Sequence, residues 1–467
     1  MKKVIFLLLD GARVDILDKL LESNRLPILK ELIKNGTYKK AISVFPSTTG
    51  PAYLPFLMGT YPGKANMPGI RWLDKLSFAD NPNSSNSHRS YVGYENKYFN
   101  NDIKKSIKSI FEHVPNSISI FNEITRGLKN GNDLTKYSKN YYKMLSHFYG
   151  SDLIDKVAFN KLIKSIDDEK QFYFSCFYSI DSLSHIEGSN TEKIKKLYED
   201  FDLNLGVLIQ NLKDKKYYDD TLIIVTSDHG HSDTYKHFDL ATYFEKKNNN
   251  VFYYPLTYKK LYKKFNSSVM VSGNSMAHIY LSDNFDWSKQ FDITKYELLI
   301  NDLMSNEAVD ILSCKNRKGE IVVISNSGKA IINDKESSIF YQPLEDDPFE
   351  YNIKEGLYSE QELLNLTFNS KYPDSIIQLL QIFKSNRCGD IVVSAKKGWD
   401  FRERFEIPEH KSSHGSLREE HMKVPIITNR KIKTNDAIRT VDLYPTVLAF
   451  IDKTLKFQTD GKKLDIY

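Results

Sequence analysis

Three stretches of the 467-residue chain end an apolar run on residues that could hold a metal ion. VIFLLL (4–9) runs into Asp10. FYFSCFYSI (172–180) runs into Asp181, with His185 four residues on in DSLSH, and i and i+4 share a face if that segment is helical. LIIVTS (222–227) runs into Asp228-His229-Gly230, and His414 sits in KSSHGSL ahead of a further apolar run. Taken singly, Asp10 reads as a helix N-cap, Asp181 as another with a surface histidine, and His414 as a solvated loop residue. Asp228-His229 directly after a buried strand has no obvious packing use. Together, three carboxylates and three imidazoles would repel one another or stay unsatisfied without a cation. Asp and His are ligands that zinc, manganese and iron accept. Six such groups exceed one tetrahedral ion and suit two. Paired ions about 3.5–4 Å apart clamp the attacking and leaving oxygens in phosphoryl transfer. His231 and His237 fit ordinary loop positions and receive no role.

A nucleophile is the missing part. FPSTTGPAYLPFLMGTYPG (45–63) carries three consecutive hydroxyls, Ser47, Thr48 and Thr49, into Gly50-Pro51 and an apolar run that stops at Gly59. Pro suits the first turn of a helix and Gly its end. The pattern predicts a loop that brings hydroxyls to the positive end of a short helix, where an anion is favoured.

The elements that must position these groups follow. Runs apolar along their whole length indicate strands buried on both faces of an α/β sheet. Helical patterns lie between them, VDILDKLLESN after the first and NTEKIKKLYEDFDLNLGVLIQNLKDK after the second. VPIITN (424–429) followed by DAIRTVDLYPTVLAFIDK repeats the theme. In open α/β sheets ligands gather beyond the carboxyl ends of the strands, which is where the acidic residues fall. Two segments interrupt the pattern. Residues 64–165, rich in Asn, Ser, Tyr and Lys, read as an insertion near the active site, with NPNSSNSHRS (81–90) as an exposed loop. Residues 240–405 read as a second insertion, a cap or lid subdomain with strand-like EIVVISN and DIVVSA. The whole, 1–467, is then one discontinuous domain.

Composition narrows the function classes. Lys+Arg exceed Asp+Glu by 65 − 60 = 5, and KKSIKS and KDKK read as solvated helix faces, so no nucleic-acid surface is indicated. Cys176, Cys314 and Cys388 are far apart and odd in number, against a disulfide framework or a cysteine zinc site. No apolar run reaches the ~18 residues of a membrane helix. MKKVIFLLLDGARVD runs straight into Asp10 and Arg13 without a small-residue cleavage site, so it reads as a first strand and the expected location is cytoplasmic. Nothing in the sequence fixes the oligomeric state.

The order Asp10, hydroxyl-helix segment, D-x-x-x-H at 181–185, D-H-G at 228–230 and H-G at 414–415 resembles the alkaline phosphatase superfamily, and within it the type I phosphodiesterase / nucleotide pyrophosphatase branch. The resemblance spans both ends and the middle of the chain and leaves the two insertions unexplained. It implies a three-layer α/β/α core around a mostly parallel sheet. It also implies that Thr49 is the nucleophile, since Thr49 stands two residues before Pro51 and ten before Gly59, which precedes Tyr61-Pro62. Its position just ahead of Gly50 agrees. One implied metal site takes Asp181, His185 and His414. The other takes Asp10, Asp228 and His229, with Thr49 as fourth ligand. The cofactors implied are two divalent ions, zinc first, with manganese or iron as alternatives. The family carries an Asn three residues after the nucleophile, whereas this chain has Ala52. Asn66, Arg71, His88 and Arg89 are the candidate substitutes for substrate binding. A sulfatase is disfavoured, because no C/S-x-P-x-R pattern is present.

The function expected is a metal-dependent phosphodiesterase acting on a small phosphoester through a phospho-threonine intermediate. A phosphomonoesterase, phosphonate hydrolase or phosphomutase on the same core is the alternative, and a non-catalytic metal-binding protein the next.

Overall fold

The computed structural model describes residues 1–255, 264–402, 404, 407–453 and 458–467. Positions 256–263, 403 and 405 of the expected second insertion lie outside the described residues.

The apolar runs form a seven-stranded sheet. Its strands are β1 (Lys3–Leu9), β2 (Thr37–Ile42), β3 (Ser117–Ile120), β4 (Phe172–Phe177), β5 (Thr221–Thr226), β6 (Lys423–Thr428) and β7 (Ile438–Arg439). The order is β7-β2-β6-β5-β1-β4-β3. β1 runs parallel to β4 and β5, β3 to β4, and β2 to β7, while β6 is antiparallel to both neighbours. Every residue of β1, β4 and β5 is buried.

Helices α1 (Val14–Glu22), α2 (Leu54–Met58), α3 (Leu153–Ser165), α4 (Ser179–Glu187) and α5 (Glu192–Asp214) surround this sheet. Strand alternation shows that both faces are covered. Phe172 lies 6.0 Å, ring to ring, from Phe111, and Phe174 lies 5.1 Å from Phe6, which in turn lies 5.2 Å from Phe56 of α2. Phe177, of opposite parity, meets Phe159 of α3 at 4.4 Å and Phe201 of α5 at 5.2 Å. Helices on two faces of one sheet make the three layers.

Residues 240–405 build a separate nine-stranded sheet, from Val251–Phe252 at one edge to Gly356–Tyr358 at the other. EIVVISN and DIVVSA supply its strands Ile321–Ser325 and Ile391–Ala395. Helix Ser375–Ile382 joins this segment to the first sheet through two buried glutamines. Gln378 Oε1 accepts from Phe45 N at 3.0 Å, Gln381 Oε1 accepts from Gly63 N at 2.9 Å, and Gln381 Nε2 donates to Phe45 O at 2.5 Å. Both ends of the 45–63 stretch are therefore held from the second segment. Beside them, Arg439 makes a two-pronged bond to fully buried Asp374, Nε to Oδ2 at 2.8 Å and Nη2 to Oδ1 at 2.7 Å.

Three expectations need correction. Residues 64–165 are not wholly an insertion, because β3 pairs with β4 in the main sheet and α3 packs on it. Only the first part of 81–90 is an exposed loop. Ser87, His88, Arg89 and Ser90 are buried, since His88–Ser90 pairs with Arg71–Leu73 and Arg89 finds Asp102 at 2.6 Å. KKSIKS (104–109) is a loop, not a helix face.

Candidate metal and phosphoester site

Asp10 leaves the end of β1, where its backbone N–H donates to Phe177 O and its side chain is fully buried. Gly11 follows at φ +71°, and a Cβ there would sit 2.7 Å from the His231 ring, so only glycine lets β1 turn this close to the imidazole. Asp228 and His229 leave the end of β5, both fully buried. Thr49 reaches them from the other side. Gly50 at φ +93° caps a 3₁₀ turn, Pro51–Tyr53, that runs into α2, and α2 ends at Gly59 in the left-handed region. Thr49 Oγ1 stands 3.1 and 3.2 Å from the two Asp10 oxygens and 3.2 Å from His229 Nε2. Ser47 instead donates to Ser416 O, and buried Thr48 accepts at its carbonyl from Ala52 N. Of the three hydroxyls, Thr49 is the one aimed at the carboxylates.

The second cluster adjoins the first. Asp181 lies in the first turn of α4 and His185 one turn later, with His185 Nε2 3.4 Å from Asp181 Oδ1. His231 Nε2 stands 2.8 Å and His414 Nε2 3.7 Å from the same oxygen. The His229 and His414 rings stack at 3.8 Å, so the two clusters share a wall. Potential ligand atoms of Asp10, Asp228 and His229 lie within 4.8 Å of one another, as do those of Asp181, His229, His231 and His414.

The donor set fits cations on four counts. His185 Nδ1 faces Ser412 O at 2.8 Å, His414 Nδ1 faces Ser47 O at 3.0 Å, and His229 Nδ1 faces Gly230 O at 3.1 Å. A carbonyl can only accept, so each Nδ1 carries the proton and each Nε2 keeps its lone pair for the cluster. Asp228 Oδ2 is buried with no hydrogen-bond partner. None of the three carboxylates has a Lys or Arg partner among the described residues. Burial, with its neighbouring carboxylates, pushes Asp10 well up. Burial also raises Asp228, to about 6, against the opposing pull of His229. Burial drives His231 down to about 4 and also pushes His414 well down, so these imidazoles are neutral near pH 7.

His231 is the residue that sequence reasoning missed. The signal was its spacing: His229 and His231 are two apart in extended chain, which puts both on one side. His237, also given no role, lies outside the cluster, with Nδ1 2.8 Å from Asp400 and Nε2 3.0 Å from Glu409. Tyr53 was likewise unforeseen. Its hydroxyl donates to Asp10 Oδ2 at 3.0 Å and lies 3.1 Å from Tyr178 OH. Ala52 is fully buried in an apolar cluster with Phe45 and Tyr61. Of the residues suggested in its stead, Asn66 Oδ1 accepts from Ser385 Oγ and Asn386 N. Arg71 Nη1 donates to Val271 O at 3.0 Å, and the His88 ring packs against Phe252 and Tyr254. Arg89 is spent on Asp102.

A family model of the type I phosphodiesterase / nucleotide pyrophosphatases matches residues 4–417. The chain belongs to this family. Solved structures agree in fold. Murine ectonucleotide pyrophosphatase / phosphodiesterase 5, as an inactive threonine-to-alanine variant with AMP, superposes with a TM-score of 0.61 at 15% identity, over 99% of this chain and 98% of that one. Phosphonoacetate hydrolase from Sinorhizobium meliloti 1021 in complex with phosphonoacetate gives 0.58 at 17%, over 96% and 95%. No curated protein sequence matches the chain. Family and fold together mark a phosphoester hydrolase of the alkaline phosphatase superfamily.

Proposed function

We propose that the protein is a two-metal phosphodiesterase in which Thr49 is transiently phosphorylated. The observation that carries this is the placement of Thr49 Oγ1 within 3.2 Å of both Asp10 oxygens and His229 Nε2, at the head of a helix. Asp10, Asp228 and His229 would hold one divalent ion beside Thr49. Asp181, His231 and His414 would hold a second, with His185 alongside. Zinc is the first choice, and manganese or iron suit the same donors. Bound there, the ions supply a lowered pKa for the Thr49 hydroxyl and charge neutralisation for the phosphoryl oxygens.

The chain's own groups do the rest. Thr49 Oγ1, having lost its proton, forms the bond to phosphorus as one ester oxygen departs with the leaving group; the other ester group stays on phosphorus, and water then cleaves the phosphorylated threonine, releasing the monoester and returning a proton to Thr49. Tyr53 fixes the Asp10 carboxylate. The Nδ1–H donors to Ser412, Ser47 and Gly230 fix the imidazole planes. A diester is favoured over a monoester because no Arg lies in 45–63 to pair with a dianion. The AMP and phosphonoacetate in the two similar structures support a small phosphoester or phosphonate as substrate. We also assign the protein to the cytoplasm, a reading supported by three unpaired cysteines of which Cys176 and Cys314 are buried.

The test is turnover of bis-p-nitrophenyl phosphate against p-nitrophenyl phosphate, with each metal added back after chelation. The diester should show the higher kcat/KM, and chelation should abolish activity reversibly. Activity in a metal-free preparation, or preference for the monoester under every metal, overturns the reading.

A further inference from the structure

We propose that the hollow ringed by Lys64, Lys104, Lys105, Lys108 and Lys384 binds a chain of phosphates, at a place separate from Thr49. Its core is KKSIKS, the motif that the hydrolase reading leaves unused. This loop is tied down through its backbone. Arg126 donates to the carbonyls of Ile103 and Ile107, Lys104 N donates to Ala65 O at 3.1 Å, and Tyr444 OH donates to Lys108 O at 3.3 Å. The main chain is thus fixed while the lysine side chains stay exposed.

Two cavities meet over them. One of about 580 Å³ is lined by Lys64, Lys104, Lys108 and Lys384 together with Met58 and Gly59 at the far end of α2 from Thr49. The other, about 350 Å³, is lined by Lys64, Lys104, Lys105, Lys384 and Arg387. They share three lysines and so adjoin across them, each of a size that takes a small ligand.

The charges within the hollow do not balance. Lys104, Lys105 and Lys108 have no ion-pair partner among the described residues. Of the two lining carboxylates, Asp102 is taken by Arg89, and Asp460 by Lys64, Thr60 Oγ1 and Tyr61 N. Lys384 leans on Asp334 at 2.8 Å. Cations from three separate segments converging on one concavity repel one another, and a polyanion relieves this. Among the described residues no Phe, Tyr or Trp lines either cavity, so none of them offers a platform for a base to stack on. The phosphate chain itself is what the groove reads, free or as the tail of a nucleoside triphosphate.

The test uses the metal-loaded Thr49→Ala protein, so that nothing is turned over. Tripolyphosphate is titrated by calorimetry in 0.05 and 0.2 M salt. The expected result is a binding event beyond the metal site, weakened by salt. In K104E/K105E/K108E it should fall about tenfold or more. ATP should bind the groove as tripolyphosphate does, and AMP should not. If ATP fails while tripolyphosphate binds, the free chain is the ligand. The same triple substitution with Thr49 intact should leave diester hydrolysis unchanged. A parallel Lys→Gln triple, with thermal unfolding of both, checks the fold. Undiminished affinity in both triples, or loss of all tripolyphosphate binding on chelation, overturns the proposal.

Discussion

At the scale of single residues, Thr49 carries the sharpest expectation. Its hydroxyl faces Asp10 and His229, and it is only partly buried, so Thr49→Ala should leave the fold intact. Turnover should drop by ~10³ or more, as when acting groups are deleted elsewhere. A chromogenic diester assay beside a thermal unfolding curve checks both halves. Activity surviving in Thr49→Ala but lost in Thr48→Ala would refute the assignment. His231 gives a second expectation. His231→Ala should lower bound metal per chain by elemental analysis, whereas His237→Ala should not, because His237 serves Asp400 and Glu409. The difference between these two shows what was legible. Asp10, Asp181 and Asp228 announced themselves by ending apolar runs. His231 immediately precedes the strand Ser232–His237, whose polar SDTYKH pattern resembles a loop, so its role became visible only when Asp181 arrived from α4.

At the scale of elements, the helix Lys139–Tyr149 offers a pH test. Lys139 and Lys143, one turn apart, both pair with buried Glu123, which also accepts from Asn96 at 2.6 Å. Burial alone would raise the Glu123 pKa, but the two lysines hold it down at about 2 from an ordinary 4.5. A folded pKa below the unfolded one stabilises above pH 4.5 and loses that contribution as pH falls toward 2. The parent should therefore lose about 2–3 kcal/mol more than Glu123→Gln between pH 5.5 and pH 2.5 in urea unfolding. Equal losses would show that the lysines do not act on Glu123. The strands with long apolar runs were readable from sequence, as was the helix-then-Gly59 stop. β3 was not, because Ser117–Ile120 is four residues of alternating Ser and Ile that earn their place only by pairing with β4. That Arg71, His88 and Arg89 lie in a hairpin rather than a loop was not readable, because polarity in a loop cannot be told from polarity in a hairpin until the partner strand is known.

At the scale of the whole molecule, the two sheets meet through a shared apolar cluster and through buried polar bonds. Asp374 and Arg439 form one of them. Asp374→Ala should cost roughly 3–5 kcal/mol in urea unfolding, since it removes the two-pronged partner of the buried Arg439 charge and leaves it only half-exposed Glu360, 3.8 Å away. The double change Asp374→Leu with Arg439→Met should cost less than the single one. An equal or greater cost would show that the pair itself stabilises the fold. The division into an α/β core and a second segment was visible in composition. That the second segment reaches back to grip residues 45–63 was not, because Gln378 and Gln381 sit in an ordinary amphipathic-looking stretch more than 300 residues downstream. That grip bears on modularity. If the nine-stranded sheet were exchanged for another to change specificity, the newcomer would need an amide at both glutamine positions, or the loop bearing Thr49 would lose its backstop. Substrate range and nucleophile alignment would then drift together in any set of such chimeras, so that a chimera with a new pocket and full speed would be the rare one that kept both amides.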